Sequence, residues 1–170
     1  MRTIIADLVR SIHPHDALEQ THIDTTLAWI ESGAPLHRIA KPATPPMHLV
    51  AYVVLYDSTQ RKLLLVDHKK AGLWLPSGGH VDPYEHPQMT AQRELYEELG
   101  IEAHFCYPEP LFLTVTQTAG QTVQHTDVSL WYVAQGDCTK SLWFDPGEFC
   151  NIAWFGLDTL PLQRCDPHLD

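Results

Sequence analysis

A chain of 170 residues with 44% of them apolar is long enough to bury one sizeable core, and 21 acidic residues against 11 Lys and Arg leave a formal net charge of −10. That balance works against a nucleic-acid backbone or an anionic membrane as partner, but it still permits a small anion held through a metal. Cys106, Cys138, Cys150 and Cys165 form no CxxC pair, so the thiols read as reduced and structural, not as a zinc site or a disulfide framework.

In "MRTIIADLVRSIHPHD" charged residues interrupt every apolar stretch before it could form a secretory core, and nowhere do 18 apolar residues run together. The expectation is a cytoplasmic chain with no membrane partner. Ile4, Ile5, Leu8, Val9 and Ile12 recur at helical spacing, and a second helix is predicted from about Asp16 to Ile30, ended by Gly33 and Pro35. The four prolines of "APLHRIAKPATPPM" remove backbone donors and restrict their neighbours, which predicts an extended connector. Residues 1–46 therefore read as a helical N-terminal extension with a Pro-rich connector, and 47–170 as the main domain.

"HLVAYVVLYD" and "KLLLV", separated by the turn-like "DSTQR", predict paired strands; "LFLTVTQT", "VSLWYVA" and "IAWFGL" predict three more. Between the second and third of these runs, Pro87 suits a first helical turn and Gly100 a left-handed cap, so a helix is predicted over 87–99. Strands before and after one strongly marked helix give the class α/β with a mixed sheet.

On that helix Ala91, Leu95 and Leu99 share one stripe, and Glu94, Glu97 and Glu98 share another. Like charges at i,i+3 and i,i+4 cost about 0.2–0.5 kcal/mol per pair, and a solvated acidic face is the simplest account of them. The preceding "LPSGGHVDPYE" adds a second signal. Adjacent glycines after a strand-like segment let a backbone carbonyl approach a ligand, and opposite three carboxylates this makes an oxygen-rich site for a hard divalent cation such as Mg²⁺.

Gly79, five residues, Glu85, seven residues, Arg93-Glu94-Leu95-Tyr96-Glu97-Glu98, one residue, then Gly100-Ile101, fills every fixed position of the Nudix box. The sequence thus resembles a Nudix hydrolase, a MutT-like pyrophosphohydrolase. With its flanking strands and the "AWFGLDTL" tail, the resemblance extends over roughly residues 48–162. It implies a Nudix-type α/β/α sandwich whose box forms a strand, loop and helix. The implied activity is hydrolysis of a diphosphate bond in a small nucleotide by water attack at phosphorus. The substrate would be a nucleoside triphosphate or a nucleoside diphosphate linked to another moiety, and the cofactor Mg²⁺, with Mn²⁺ as a substitute.

By the same resemblance Glu94 and Glu98 are metal ligands, joined by the Gly78 carbonyl, and Glu97 is a further ligand or a base. Glu148 of "DPGEFCNIAWF" resembles the loop position of an additional ligand or general base. Glu85 and Arg93 pair to fix loop to helix. His80 and Lys70, with Lys69 beside it, are candidates for phosphate contact. Strand alternation aims His125 and Asp127 toward the side of Ser129 and Trp131. Trp131, Tyr52 or Trp74 would stack on a base, or else belong to the core. Tyr84 stands where the family often has a small residue, which alters the loop surface.

Two alternatives remain at this level: a nucleotide-sensing Nudix domain without efficient hydrolysis, and an RNA 5′-end pyrophosphohydrolase. The −10 charge disfavours RNA or DNA as partner. The extension would serve as a lid, a cap or a homodimer contact.

Overall fold

The first predicted helices form as α1, Arg2–Ser11, and α2, Ala17–Glu31. Asp16 caps α2 by accepting a hydrogen bond from the Glu19 backbone amide at 2.7 Å. The Arg2 guanidinium donates to the Ile30 carbonyl at 2.6 Å and the Ala34 carbonyl at 2.6 Å. It thereby places a cation at the negative end of α2 and closes one helix onto the other. This computed structural model describes residues 1–41, 43–118, 124–166 and 168–169.

Among the described residues the sheet has seven strands: β1 Met47–Asp57, β2 Lys62–His68, β3 Leu73–Leu75, β4 Ser77–His80, β5 Phe112–Gln117, β6 Thr126–Gln135 and β7 Phe149–Gly156. Their order is β3-β2-β1-β6-β5, with β4 added to β1 and β7 to β2. β1 runs parallel to β6 from Met47↔Thr126 to Tyr56↔Gln135. On its other side it meets β2 at Tyr56↔Leu63 and β4 from Val50↔His80 to Val53↔Ser77, both antiparallel. A mixed sheet flanked by helices is the α/β/α sandwich that the resemblance implies.

Alternation along β1 divides core from site. Leu49, Ala51, Val53 and Leu55 join the buried apolar cluster, while Val50 and Tyr52 line a cavity. Ile5, Val9, Ile23 and Ile30 of the N-terminal helices belong to the same cluster. Glu19 is buried, and its carboxylate accepts from the amides of His15 at 3.0 Å and Leu113 at 3.2 Å. That second bond fastens α2 to β5, the last strand of the order.

The third helix, α3, spans Pro87–Leu99, as its caps predict: Pro87 occupies the first turn, and Gly100 closes the end with φ 68°. One local reading gains a detail: Gly78 and Gly79 do follow a strand, β3, but they lie in a strand of their own, β4, opposite Tyr52 and Ala51. A β-carbon on Gly78 would fall 2.4 Å from the Ala51 carbonyl oxygen, so the close pairing of β4 with β1 requires glycine there.

Candidate active site

A cavity of about 900 Å³ is lined by side chains from β1, β4, α3, β6 and the loop before β7. The turn from β4 into α3 is held by Arg93. Its guanidinium donates to Glu85 through Nε at 3.1 Å and Nη2 at 3.0 Å, and to Glu94 Oε1 through Nη1 at 2.7 Å. Glu85 also accepts from Thr90 Oγ1 at 2.6 Å. Planar, bidentate pairing of this kind fixes an angle as well as a distance, so the Arg93–Glu85 pair sets the loop against the helix.

Glu94 and Glu98 both line the cavity, whereas Glu97 points outward with 58% of its side chain exposed, 3.4 Å from Arg93 Nη1. Glu98 is buried and accepts from Ser77 Oγ at 2.5 Å and from the Gly78 amide at 3.2 Å. Glu148, before β7, lines the same cavity, and its backbone carbonyl accepts from the Lys69 amide at 2.9 Å. Lys70 lines the cavity as well, while the Lys69 ammonium donates to the Pro146 carbonyl.

Burial pushes the Glu98 carboxyl up to about 8; the Ser77 and Gly78 hydrogen bonds oppose this, and the charges of Glu94 and Glu148 add to it. Glu94 is raised by burial too, against the pull of Arg93 and with the repulsion of Glu97 and Glu148 behind it. Neighbouring carboxylates thus disfavour the charge of Glu94 and of Glu98 in this cavity. Oxygen donors in that state fit a hard divalent cation, which would relieve the repulsion. Cations also reach the cavity from the Pro-rich connector, as Arg38 and Lys41. Bonds from His37 Nδ1 to the Val81 carbonyl, 3.1 Å, and from the Leu49 amide to the Leu36 carbonyl, 2.8 Å, hold that connector against the sheet.

A second group sits at the β6 side of the cavity. His48, His80, His125 and Asp127 each offer a ligand atom, and these atoms all lie within 4.8 Å of one another. Among the described residues Glu94, Glu97 and Glu98 are not gathered in this way; Glu94 is turned to Arg93 and Glu98 to Ser77. Burial lowers His80 to about 4, with Arg38 contributing and Asp127 opposing.

Trp131 is fully buried, with Nε1 donating to Thr114 Oγ1 at 2.9 Å and its ring stacked 4.8 Å from Phe112, so it belongs to the core. Trp74 packs edge-on against Phe155 at 5.1 Å. Of the three aromatic candidates, Tyr52 lines the cavity. Sequence reasoning did not find His48, Arg38, Lys41 or Asp166 as site residues, although Arg38, Lys41 and Asp166 line the cavity. His48 opens a strand-like run, and no metal-ligand spacing links it to His80 or Asp127. Their meeting depends on the registers His48↔Asp127 and Val50↔His80.

No helix of the described residues is long and apolar enough to cross a membrane. A family model described as the NUDIX domain matches residues 46–169. The structure of a MutT NUDIX hydrolase from Burkholderia pseudomallei is similar with TM-score 0.54 and 25% identity, over 68% of this chain and 87% of that one. The MutT protein from Methanosarcina mazei Go1 gives 0.52 and 19%, over 68% and 86%. The NUDIX domain of Shewanella oneidensis NrtR, crystallised with ADP ribose, gives 0.51 and 23%, over 65% and 73%. These last two are likenesses of fold.

Proposed function

Because the chain belongs to the NUDIX family and is a Nudix hydrolase, we propose that it hydrolyses a diphosphate bond in a small nucleotide, with a divalent metal and by water attack at phosphorus. The observation that carries this reading is the set of three carboxylates, Glu94, Glu98 and Glu148, on one cavity, with the first two raised by burial and by the charges beside them. Mg²⁺, or Mn²⁺ in its place, would be held by Glu94, Glu98 and the Gly78 carbonyl, with Glu97 as a further ligand at the rim. When bound, such an ion neutralises diphosphate oxygens and lowers the pKa of water beside it.

The chain's own residues then have distinct tasks. Glu148, which lines the cavity, accepts the proton of the attacking water, and Glu97, turned outward at the rim, is the alternative base. Lys70, with Arg38 and Lys41, meets the phosphate charge. Arg93 and Glu85 hold the box loop on α3 so that Glu94 keeps its position. His80, His125 and Asp127 form the wall toward the group beyond the diphosphate. Residues 47–170 act as the catalytic domain, and residues 1–46 as an extension whose connector completes the cavity.

A nucleoside diphosphate linked to a second moiety suits the site best. The cavity of about 900 Å³ falls in the range of ligand pockets, and the fold is like that of a domain crystallised with ADP ribose. The test is a hydrolysis panel with Mg²⁺ and Mn²⁺ against nucleoside triphosphates, nucleotide sugars, ADP-ribose and dinucleoside polyphosphates, resolving products by chromatography. Selective cleavage that falls at least about 100-fold in Glu98→Gln is expected. Unchanged turnover in both Glu97→Gln and Glu98→Gln would sink the mechanism, and tight nucleotide binding without any product would turn the reading to a sensing domain.

A further inference from the structure

His48 is fully buried, and its ring is oriented by the backbone. Nδ1 lies 2.9 Å from the Pro45 carbonyl oxygen, an atom that can only accept. The proton of a neutral His48 therefore sits on Nδ1, which leaves a lone pair on Nε2. That lone pair is 3.3 Å from Asp127 Oδ1, itself an acceptor, and neither atom has a hydrogen-bond partner. Two buried acceptors facing each other are costly unless a cation lies between them.

Other donors surround the same point. His125 Nε2 stands 3.3 Å from the same Asp127 oxygen, and Nδ1 of that ring is 3.2 Å from Thr118 Oγ1. Thr118 Oγ1 also lies 3.2 Å from the His125 carbonyl, which can take the hydroxyl proton. The His125 ring is thus held between Thr118 and Asp127. His80 Nε2 is buried without a partner, in a ring whose centroid is 4.8 Å from that of His48.

We propose that His48, His80, His125 and Asp127 form a site for one four-coordinate first-row divalent metal ion of the zinc class, separate from the glutamate cluster. The donor set is three imidazoles and one carboxylate, which favours such an ion over Mg²⁺ or Ca²⁺. Zinc–nitrogen and zinc–oxygen bonds of roughly 2.0–2.1 Å in a tetrahedron put neighbouring donor atoms about 3.3 Å apart. Both measured distances to Asp127 Oδ1 are 3.3 Å. A second shell that points each ligating nitrogen by occupying the other one is also characteristic of metal-bound histidine, and the Pro45 carbonyl does this for His48.

The ligands come from β1, β4 and the start of β6. The ion would pin three strands together at the wall of the substrate cavity. Three neutral imidazoles, one carboxylate and a dication sum to +1, a local positive charge in a chain of net −10. An anionic substrate in the cavity would meet that charge as well as the connector's Arg38 and Lys41.

This inference does not depend on turnover, and neither does its test. Tag-free full-length protein, stripped with chelator, is titrated with Co²⁺ and followed by visible absorption and by metal analysis. One equivalent with the intense d–d bands of four-coordinate cobalt, displaced by one equivalent of Zn²⁺, is the expected result. Asp127→Asn should weaken binding at least about 100-fold, while Glu94→Gln and Glu98→Gln should leave the bands in place. Each variant is checked by its metal-free thermal melt, and His125→Gln serves as the second ligand variant should Asp127→Asn unfold. The proposal is overturned by six-coordinate spectra alone, by bands lost in Glu98→Gln and kept in both ligand variants, or by a metal-indifferent His48 that is doubly protonated in nitrogen NMR.

Discussion

The β-carbon that Gly79 lacks would stand 2.4 Å from Oε1 and 2.5 Å from Cδ of Glu94. The missing methyl is thus the seat of a site carboxylate. Gly79→Ala should fold, because the group in its way is the end of a flexible side chain, and its stability should change by under about 1 kcal/mol. Its kcat should fall about 100-fold, the scale of a displacement near 1 Å at a reacting centre. Gly78→Ala would meet the Ala51 carbonyl at 2.4 Å and Tyr52 Cα at 2.8 Å, which are backbone atoms. It should lose about 1–3 kcal/mol. Chemical denaturation of the two variants beside their kinetics separates the cases, and equal stability loss in both would refute this account of Gly79.

Glu98 makes the metal-free protein sensitive to pH. Its folded-state pKa, about 8, is raised above the ordinary carboxylate value of 4.5, so the folded chain binds the proton more tightly than the unfolded chain. Its stabilising contribution is complete below about pH 4.5 and is lost as pH rises through 8. In chelator, stability should fall between about pH 5 and 8 with a slope approaching about 1.4 kcal/mol per pH unit, and level off above that. Histidines titrate inside that window, so the Glu98 part is the difference between wild type and Glu98→Gln. Urea unfolding of wild type and Glu98→Gln across it measures the effect, and parallel curves for the two proteins would contradict it. Added Mg²⁺ should flatten the wild-type curve.

Arg93 does what a lysine cannot. It engages Glu85 through Nε and Nη2 and Glu94 through Nη1, and a single ammonium cannot reproduce that fork. Arg93→Lys should retain charge yet lower kcat roughly 10- to 100-fold, with KM changed far less. Recovery of full kcat in the lysine variant would show that charge alone suffices.

At the far side of the sheet, Glu19→Ala should strip the buried Leu113 amide of its acceptor. The expected cost is about 1–3 kcal/mol, read as a lower denaturation midpoint at unchanged metal dependence of turnover. Amide exchange at Leu113 should rise with it; protection equal to wild type would mean that the bond does not fasten α2 to β5.

The box helix was legible in the sequence because its determinants are local. Pro87 and Gly100 set its ends, and the spacing of Ala91, Leu95 and Leu99 set its inner face, all within one stretch of chain. The strands were legible for the same reason, as runs of β-branched and leucine residues. The family resemblance rests on the same short-range pattern. What no local pattern contained was the difference between neighbours on that helix: Glu98 is 6% exposed under Ser77, while the Glu97 side chain is 58% exposed at the rim. Burial is decided by what packs from elsewhere.

The sequence by itself therefore determined which residue types could do the chemistry, where helix and strands would form, and that acidic groups would cluster on one helical turn. Tertiary structure alone decided the rest. It drew Glu148 and Lys70 to the same cavity as Glu94, brought Arg38 and Lys41 there on a connector, and set His48 beside Asp127, 79 positions later in the numbering, by the parallel register of β1 and β6. Strand pairing between distant segments is fixed by the packing of the whole sheet and its core, and no window of neighbouring residues carries that information.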